Sequence, residues 1–264
     1  MKNLNLLRTI VIALLTMVLT HSVNAQQKNR QFYQIKVYSF DNEDQVKQAD
    51  NYLENAYMPA LKRLDIKNIG VFKPKENSEI DSLKQIFVLI PFSSLDQFEK
   101  LQNDLSKDEK YIAAGKEFIE ASFDKKPYNR IQSIILKAFT DMPVLRPTVL
   151  DGDRTERVYE LRSYESPTEA YHTNKVKMFN AGGEVTLFDD LGFNAVFYGE
   201  VLSGANMPNL MYMTTFKDSI SRENHWKSFS NSPAWKKLSA IPEYANNVSH
   251  IDITFLYPTI YSDY

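Results

Sequence analysis

The chain has 264 residues, with 31 Lys and Arg against 33 Asp and Glu, a formal net charge of −2, four His and no Cys. The near-neutral balance gives no electrostatic case for nucleic acid as a partner. The absence of Cys excludes disulfides, thiolate metal sites and thiol nucleophiles together, so stability has to come from packing.

Residues 1–25 read as an address. Lys2 and Arg8 make a basic start, Thr9 to Thr20 is apolar or nearly so, and Val23-Asn24-Ala25 is a small-x-small cleavage pattern. A helix over that run would rise only about 18 Å, short of a bilayer core of roughly 30 Å. The expectation is therefore a signal peptide cleaved after Ala25 and an exported protein, periplasmic or extracellular. A retained membrane anchor is the alternative reading. No stable membrane insertion is expected after processing.

The elements that follow alternate in period. Phe32 to Phe40 is aromatic and β-branched, which predicts a strand. Val46, Ala49, Leu53, Ala56, Tyr57, Ala60, Leu61 and Leu64 make a helical stripe that Pro59 should kink or shorten. Ile69 to Phe72 and Ile86 to Phe92 read as strands around a charged loop, Lys73 to Asp81. A second helix starts near Ser94, breaks near Ser106 and resumes through Glu120, and Ile131 to Phe139 is a closing strand. Pro143, Pro147 and Asp151-Gly152-Asp153 then mark a linker over 141–155. Val158 to Tyr164 starts the pattern again. A helix from Thr168 is interrupted by Gly182-Gly183, Asn194 to Leu202 and Leu210 to Phe216 are strands, a helix from Ser219 restarts at Pro233, and Ser249 to Tyr257 ends the series.

The second series copies the first. Tyr33-Gln-Ile-Lys-Val-Tyr38 reappears as Tyr159-Glu-Leu-Arg-Ser-Tyr164, Val71-Phe72 as Val196-Phe197, Tyr111 as Trp235, and Ile131-Gln132 as Ile251-Asp252. The common order predicts a duplication: an α+β chain of two tandem ferredoxin-like β-α-β-β-α-β domains, 31–140 and 156–260. Two helices cover one sheet face only. Ile35, Val37, Phe87, Leu89, Tyr212, Ile253 and Phe255 cannot all lie on that face, so a second sheet is needed for the other. Two copies supply it internally, as a pseudo-dimeric barrel.

The strand Tyr159-Glu-Leu-Arg-Ser-Tyr164 and the helix carrying Glu223-Asn-His-Trp226 and Asn231-Ser-Pro-Ala-Trp235 resemble the NIPSNAP family. The match runs over roughly 157–258, and the first copy looks like a divergent relative. The resemblance implies a dimeric α/β-barrel fold. That family has no agreed catalytic motif, so the resemblance assigns no catalytic residue. Its superfamily includes cofactor-independent oxygenases, haem-degrading enzymes and plain binding modules.

Among the residues themselves, Glu160 and Arg162 share a strand face, where Glu200 could approach them. They read as a structural ion pair at the barrel rim, or as a carboxylate held near an Arg to grip a polar ligand. Tyr159, Tyr198, Tyr212, Trp226 and Trp235 could line a pocket between the sheet and helices of the second copy. The broken helix around Pro233 should leave a gap there. His225, beside Trp226, is the one candidate for a cofactor ligand, and a residue covering Trp226 is the plainer reading; His250 reads as structural. No metal site and no cofactor are predicted. The expected function is binding of a small apolar or aromatic molecule in that sheet–helix cavity. A cofactor-independent oxygenase or isomerase, or an assembly role with a homo-oligomer, are the alternatives.

Overall fold

The structure is a computed structural model that describes residues 30–75 and 84–264. The expected signal peptide and loop residues 76–81 lie outside the described residues.

Strand β1 (Phe32–Phe40) is followed by α1 (Glu43–Tyr52), a π-helical turn (Leu53–Tyr57) and α2 (Met58–Arg63), then β2 (Gly70–Pro74) and β3 (Lys84–Phe92). Helices α3 (Leu95–Leu105) and α4 (Glu109–Ile119) and strand β4 (Arg130–Ala138) complete the first half. The second half repeats the order with β5 (Val158–Glu165), α5 (Glu169–Phe179), α6 (Glu184–Asp190), β6 (Asn194–Ser203), β7 (Asn209–Phe216), α7 (Ser219–Asn231), α8 (Pro233–Ser239) and β8 (His250–Pro258). Side chains set the helix starts. Asn42, Ser94, Asp108, Asp218 and Ser232 each accept a hydrogen bond from a backbone N–H three residues on. Pro59 does not end its helix. The wide turn before it, in which the Met58 N–H reaches back to the Leu53 carbonyl, absorbs the missing donor and lets the helix run on to Arg63. Gly182-Gly183 does break the other one, because Gly183 takes φ of 86° at the start of α6.

All eight strands close into one antiparallel barrel in the order β1-β3-β2-β8-β5-β7-β6-β4. Moving four places round that ring carries each strand of one half onto its counterpart in the other, so a pseudo-two-fold axis runs along the barrel. The seams are β2 with β8 and β4 with β6. At the second seam a Cβ on Gly199 would meet Leu136 Cβ at 3.1 Å and the Lys137 carbonyl at 3.3 Å, so the close approach needs glycine.

Strand alternation then sorts the core into three layers. Tyr38, Ile86, Val88 and Ile90 face α1–α4, and Tyr164, Tyr198, Tyr212 and Phe216 face α5–α7. Tyr33, Ile35, Leu89, Leu136, Tyr159, Val196, Phe197 and Met213 fill the barrel, drawn from both halves. One barrel end is plugged by rings: Tyr264 packs on Phe72 at 5.7 Å and Tyr159 at 6.2 Å, while Arg154 donates to the carbonyls of Ile260 and Ser262. Residues Gln31–Tyr264 form one compact unit.

Each fully buried Val, Leu, Ile or Phe side chain contributes about 1.5–3 kcal/mol, and each half loses its interior partners without the other. Segments 26–146 and 150–264 expressed separately should therefore aggregate or self-associate. Analytical ultracentrifugation checks this, and two stable soluble monomers would contradict the shared interior.

Candidate functional site

The layer between the second-half helices and the sheet is full. Tyr198 and Tyr212 are completely buried, with ring centroids 5.5 Å apart. Phe188 stacks on Phe229 at 4.9 Å, Phe193 meets Trp226 edge-on at 5.0 Å, and Phe229 lies 4.4 Å from Trp235. The gap expected around Pro233 is thus closed by Phe179, Phe188, Phe193 and Phe229, residues that α5, α6, α7 and the Gly192 turn bring in. Tyr159 is not part of this layer. It points into the barrel, and its hydroxyl donates to Thr148 Oγ1 at 3.2 Å. Tyr198, Tyr212, Trp226 and Trp235 do come together, as a packed core and not as cavity walls.

Glu160 and Arg162 also lie on that face, under α7 and away from the barrel rim. Glu160 is fully buried and accepts from Arg162 Nε at 2.7 Å, Arg222 Nε at 2.8 Å and Trp226 Nε1 at 2.8 Å. The Arg162 guanidinium sits 3.8 Å from the Trp226 ring centroid and donates to the Tyr164 hydroxyl, which bonds Tyr212 at 2.8 Å. Burial works against the Glu160 charge, but the Arg222 hydrogen bonds and the Arg162 and Arg222 charges outweigh it and hold the carboxyl below its ordinary range. Both carboxylate oxygens are occupied by these donors, so the group is built to hold α7 on the sheet. Glu200 lies on β6, across from Lys137 on β4. His225 is half-buried, with Nδ1 2.6 Å from the Ser221 carbonyl oxygen and its ring against Phe193 at 5.5 Å. That arrangement covers Phe193 and Phe216.

A cavity lies elsewhere. At the barrel end opposite Tyr264, a space of about 290 Å³ opens between the two halves. Its walls come in pairs related by the pseudo-two-fold axis. Val37 pairs in register with Phe87 and Gln132, just as Ser163 pairs with Met211 and Asp252. Ile134 of β4 corresponds to Thr254 of β8, and Gln85 of β3 to Asn209 of β7; all ten line the cavity. The two carboxamides share a second property. Gln85 Oε1 and Asn209 Oδ1 are both buried and have no hydrogen-bond partner among the described residues. Asn209 is 3% exposed and donates through Nδ2 to Ser163 Oγ at 2.8 Å. Unpaired buried acceptors cost about 1–3 kcal/mol each unless something donates to them.

The chain can now be set beside known proteins. The NIPSNAP family model matches residues 159–263. This half is a NIPSNAP domain. A provisionally named monooxygenase from Lactobacillus acidophilus NCFM superposes with a TM-score of 0.57 at 10% identity, over 87% of this chain and 94% of that one. One of the same description from Fusobacterium nucleatum gives 0.57 at 8%, over 87% and 92%. A NIPSNAP family protein of Agrobacterium tumefaciens gives 0.37 at 15%, over 45% and 98%. At these identities the likeness concerns the fold: a dimeric α/β barrel, here within one chain. No curated protein matches.

The NIPSNAP half has an ionic device that its counterpart lacks. Where it has Glu160 and Arg162, the first half has Gln34, which donates to Ser133 Oγ at 2.7 Å, and Lys36, whose Nζ lies 4.9 Å from the Tyr57 ring centroid. The cavity draws on both halves, with more of its lining from the second. Period-two alternation puts Val37 with Ile35, and Ser163 with Leu161, on the barrel face; that was the available signal. It could not tell which barrel end would be filled, since the plug comes from Tyr264, far from the strands it covers. No helix among the described residues is long and apolar enough to cross a membrane.

Proposed function

We propose that the protein binds one small, donor-bearing organic molecule, neutral or cationic, in the cavity on the pseudo-two-fold axis. The observation that carries this reading is the symmetric pair of carboxamide side chains, Gln85 and Asn209, that line one space together with Asp252 and whose oxygens have no hydrogen-bond partner among the described residues. Acceptors and a carboxylate favour amines, amides or polyols and disfavour anions. The apolar walls Val37, Phe87, Ile134 and Met211 favour a short hydrocarbon body. At about 290 Å³ the space sits at the small end of ligand pockets, which run roughly 300–1,000 Å³.

A thermal-shift panel of small amines, amides, polyols, carboxylates and plain aromatics, run with EDTA, tests this. A donor-bearing member at 100 times its Kd should add about 2.7 kcal/mol, or ~5–10 °C in Tm. Asn209→Ala and Gln85→Ala should each remove the shift. Stabilisation by carboxylates or plain aromatics alone, unchanged in both variants, would contradict the reading.

A further inference from the structure

The open end of the barrel carries a second feature. Glu165 and His250 are register partners on β5 and β8, one step along the strands from Ser163 and Asp252. Alternation puts Glu165, His250 and Asp252 on the cavity side of the sheet. One ligand atom from each lies within 4.8 Å of the others, and His250 Nε2 is 3.0 Å from Asp252 Oδ1. Ligands of one divalent ion at 2.0–2.2 Å from it must lie about 3–4.4 Å apart, so small side-chain rotations suffice. Asp252 also lines the cavity, and so does Asn209, which is the register partner of Glu165 on its other side. Asn209, 3% exposed, is fixed next to Glu165 by donating through Nδ2 to Ser163 Oγ at 2.8 Å.

We infer that Glu165, His250 and Asp252 form a binding site for one divalent transition-metal ion at the mouth of the barrel. Three protein ligands, one imidazole and two carboxylates, leave coordination positions open toward the cavity. On binding, the ion takes the place of the hydrogen bond between His250 Nε2 and Asp252 Oδ1, with the imidazole coordinating in its neutral form. The site is single. The first-half counterparts of Glu165, His250 and Asp252 are Ser39, Arg130 and Gln132, which by register occupy the same places and cannot make an equivalent set. The inference can fail independently of the organic ligand, because Glu165 and His250 are not among the cavity's lining residues and Asp252 is the one proposed ligand that the two sites share.

The test is titration of the EDTA-treated, dialysed full chain with Co²⁺ followed by visible absorption, and with Zn²⁺ by calorimetry. One ion per chain is expected. His250→Ala and Asp252→Asn should each weaken it at least tenfold, while His225→Gln leaves it unchanged. Circular dichroism confirms the fold of each variant, and the exposed His250 and Asp252 make unfolding an improbable confounder. No saturable one-to-one binding would overturn the inference. So would binding that survives both His250→Ala and Asp252→Asn, or binding that His225→Gln removes.

Discussion

Glu160→Leu is expected to destabilise the protein by about 3–5 kcal/mol, the effect of removing one partner from a buried ion cluster. The carboxylate is completely buried and is the shared acceptor for Arg162, Arg222 and Trp226. Removing it leaves two guanidiniums under α7, one of them 8% exposed. Arg162→Leu should cost less, on the order of 1–3 kcal/mol, because Arg222 and Trp226 still satisfy the carboxylate. Urea unfolding of both variants gives the order. Equal losses, or no loss for Glu160→Leu, would show that the cluster does not fasten α7. The pH dependence has a definite sign. The Glu160 carboxyl is held below its ordinary range in the fold, so its contribution is present above the unfolded value, roughly 4.3, and is lost as pH falls through the folded one. Wild type should therefore lose stability on acidification more steeply than Glu160→Gln.

The second large effect lies beneath α5 and α6. Lys175 Nζ is 2.9 Å from Glu184 Oε2, and the two side chains are 5% and 3% exposed. The ammonium is ringed by Phe179 at 4.7 Å and Trp235 at 5.9 Å. Lys175→Met should cost about 3 kcal/mol at pH 7, since it leaves a buried carboxylate alone. The double variant Lys175→Met/Glu184→Leu should recover most of that, because two well-packed apolar groups need no desolvation. Burial pushes the Glu184 carboxyl up, with Lys175 opposing it. A raised folded value means a penalty present at pH 7 that fades as pH falls through it. The Lys175→Met deficit should accordingly shrink as pH falls from 7 toward the ordinary carboxyl value, about 4.3. A double variant less stable than Lys175→Met would contradict a lone-charge origin.

The strands were legible because their periodicity is strong and local. Phe32–Phe40 is the same in sequence and structure, and the internal copy of Tyr33–Tyr38 at Tyr159–Tyr164 implied the barrel. The π-turn before Pro59 was not legible, since the tertiary packing of Leu53, Ala56 and Tyr57 selects it over a kink. The expected cavity was placed between sheet and helices for a related reason. Trp226 and Trp235 are conspicuous as residues, but whether aromatics line a space or fill it depends on partners such as Phe188 and Phe193 from distant elements. Gln85, Asn209 and Asp252 are inconspicuous as residues. Their meaning appears only once the register of β3, β7 and β8 and the two-fold relation place them round one cavity. Glu165 and His250 stand 85 positions apart, and the β5–β8 register alone makes them neighbours.

The central claim is that the functional cavity is shared between the halves. The stoichiometry of ligand binding tests it most directly. Calorimetry with the best donor-bearing compound from the thermal-shift panel should give one molecule per chain, weakened at least tenfold by Gln85→Ala in the first half and by Asn209→Ala in the second. Two molecules per chain, or one that responds to substitutions around Trp226 and Trp235 and to neither carboxamide, would place the site between sheet and helices and contradict the account.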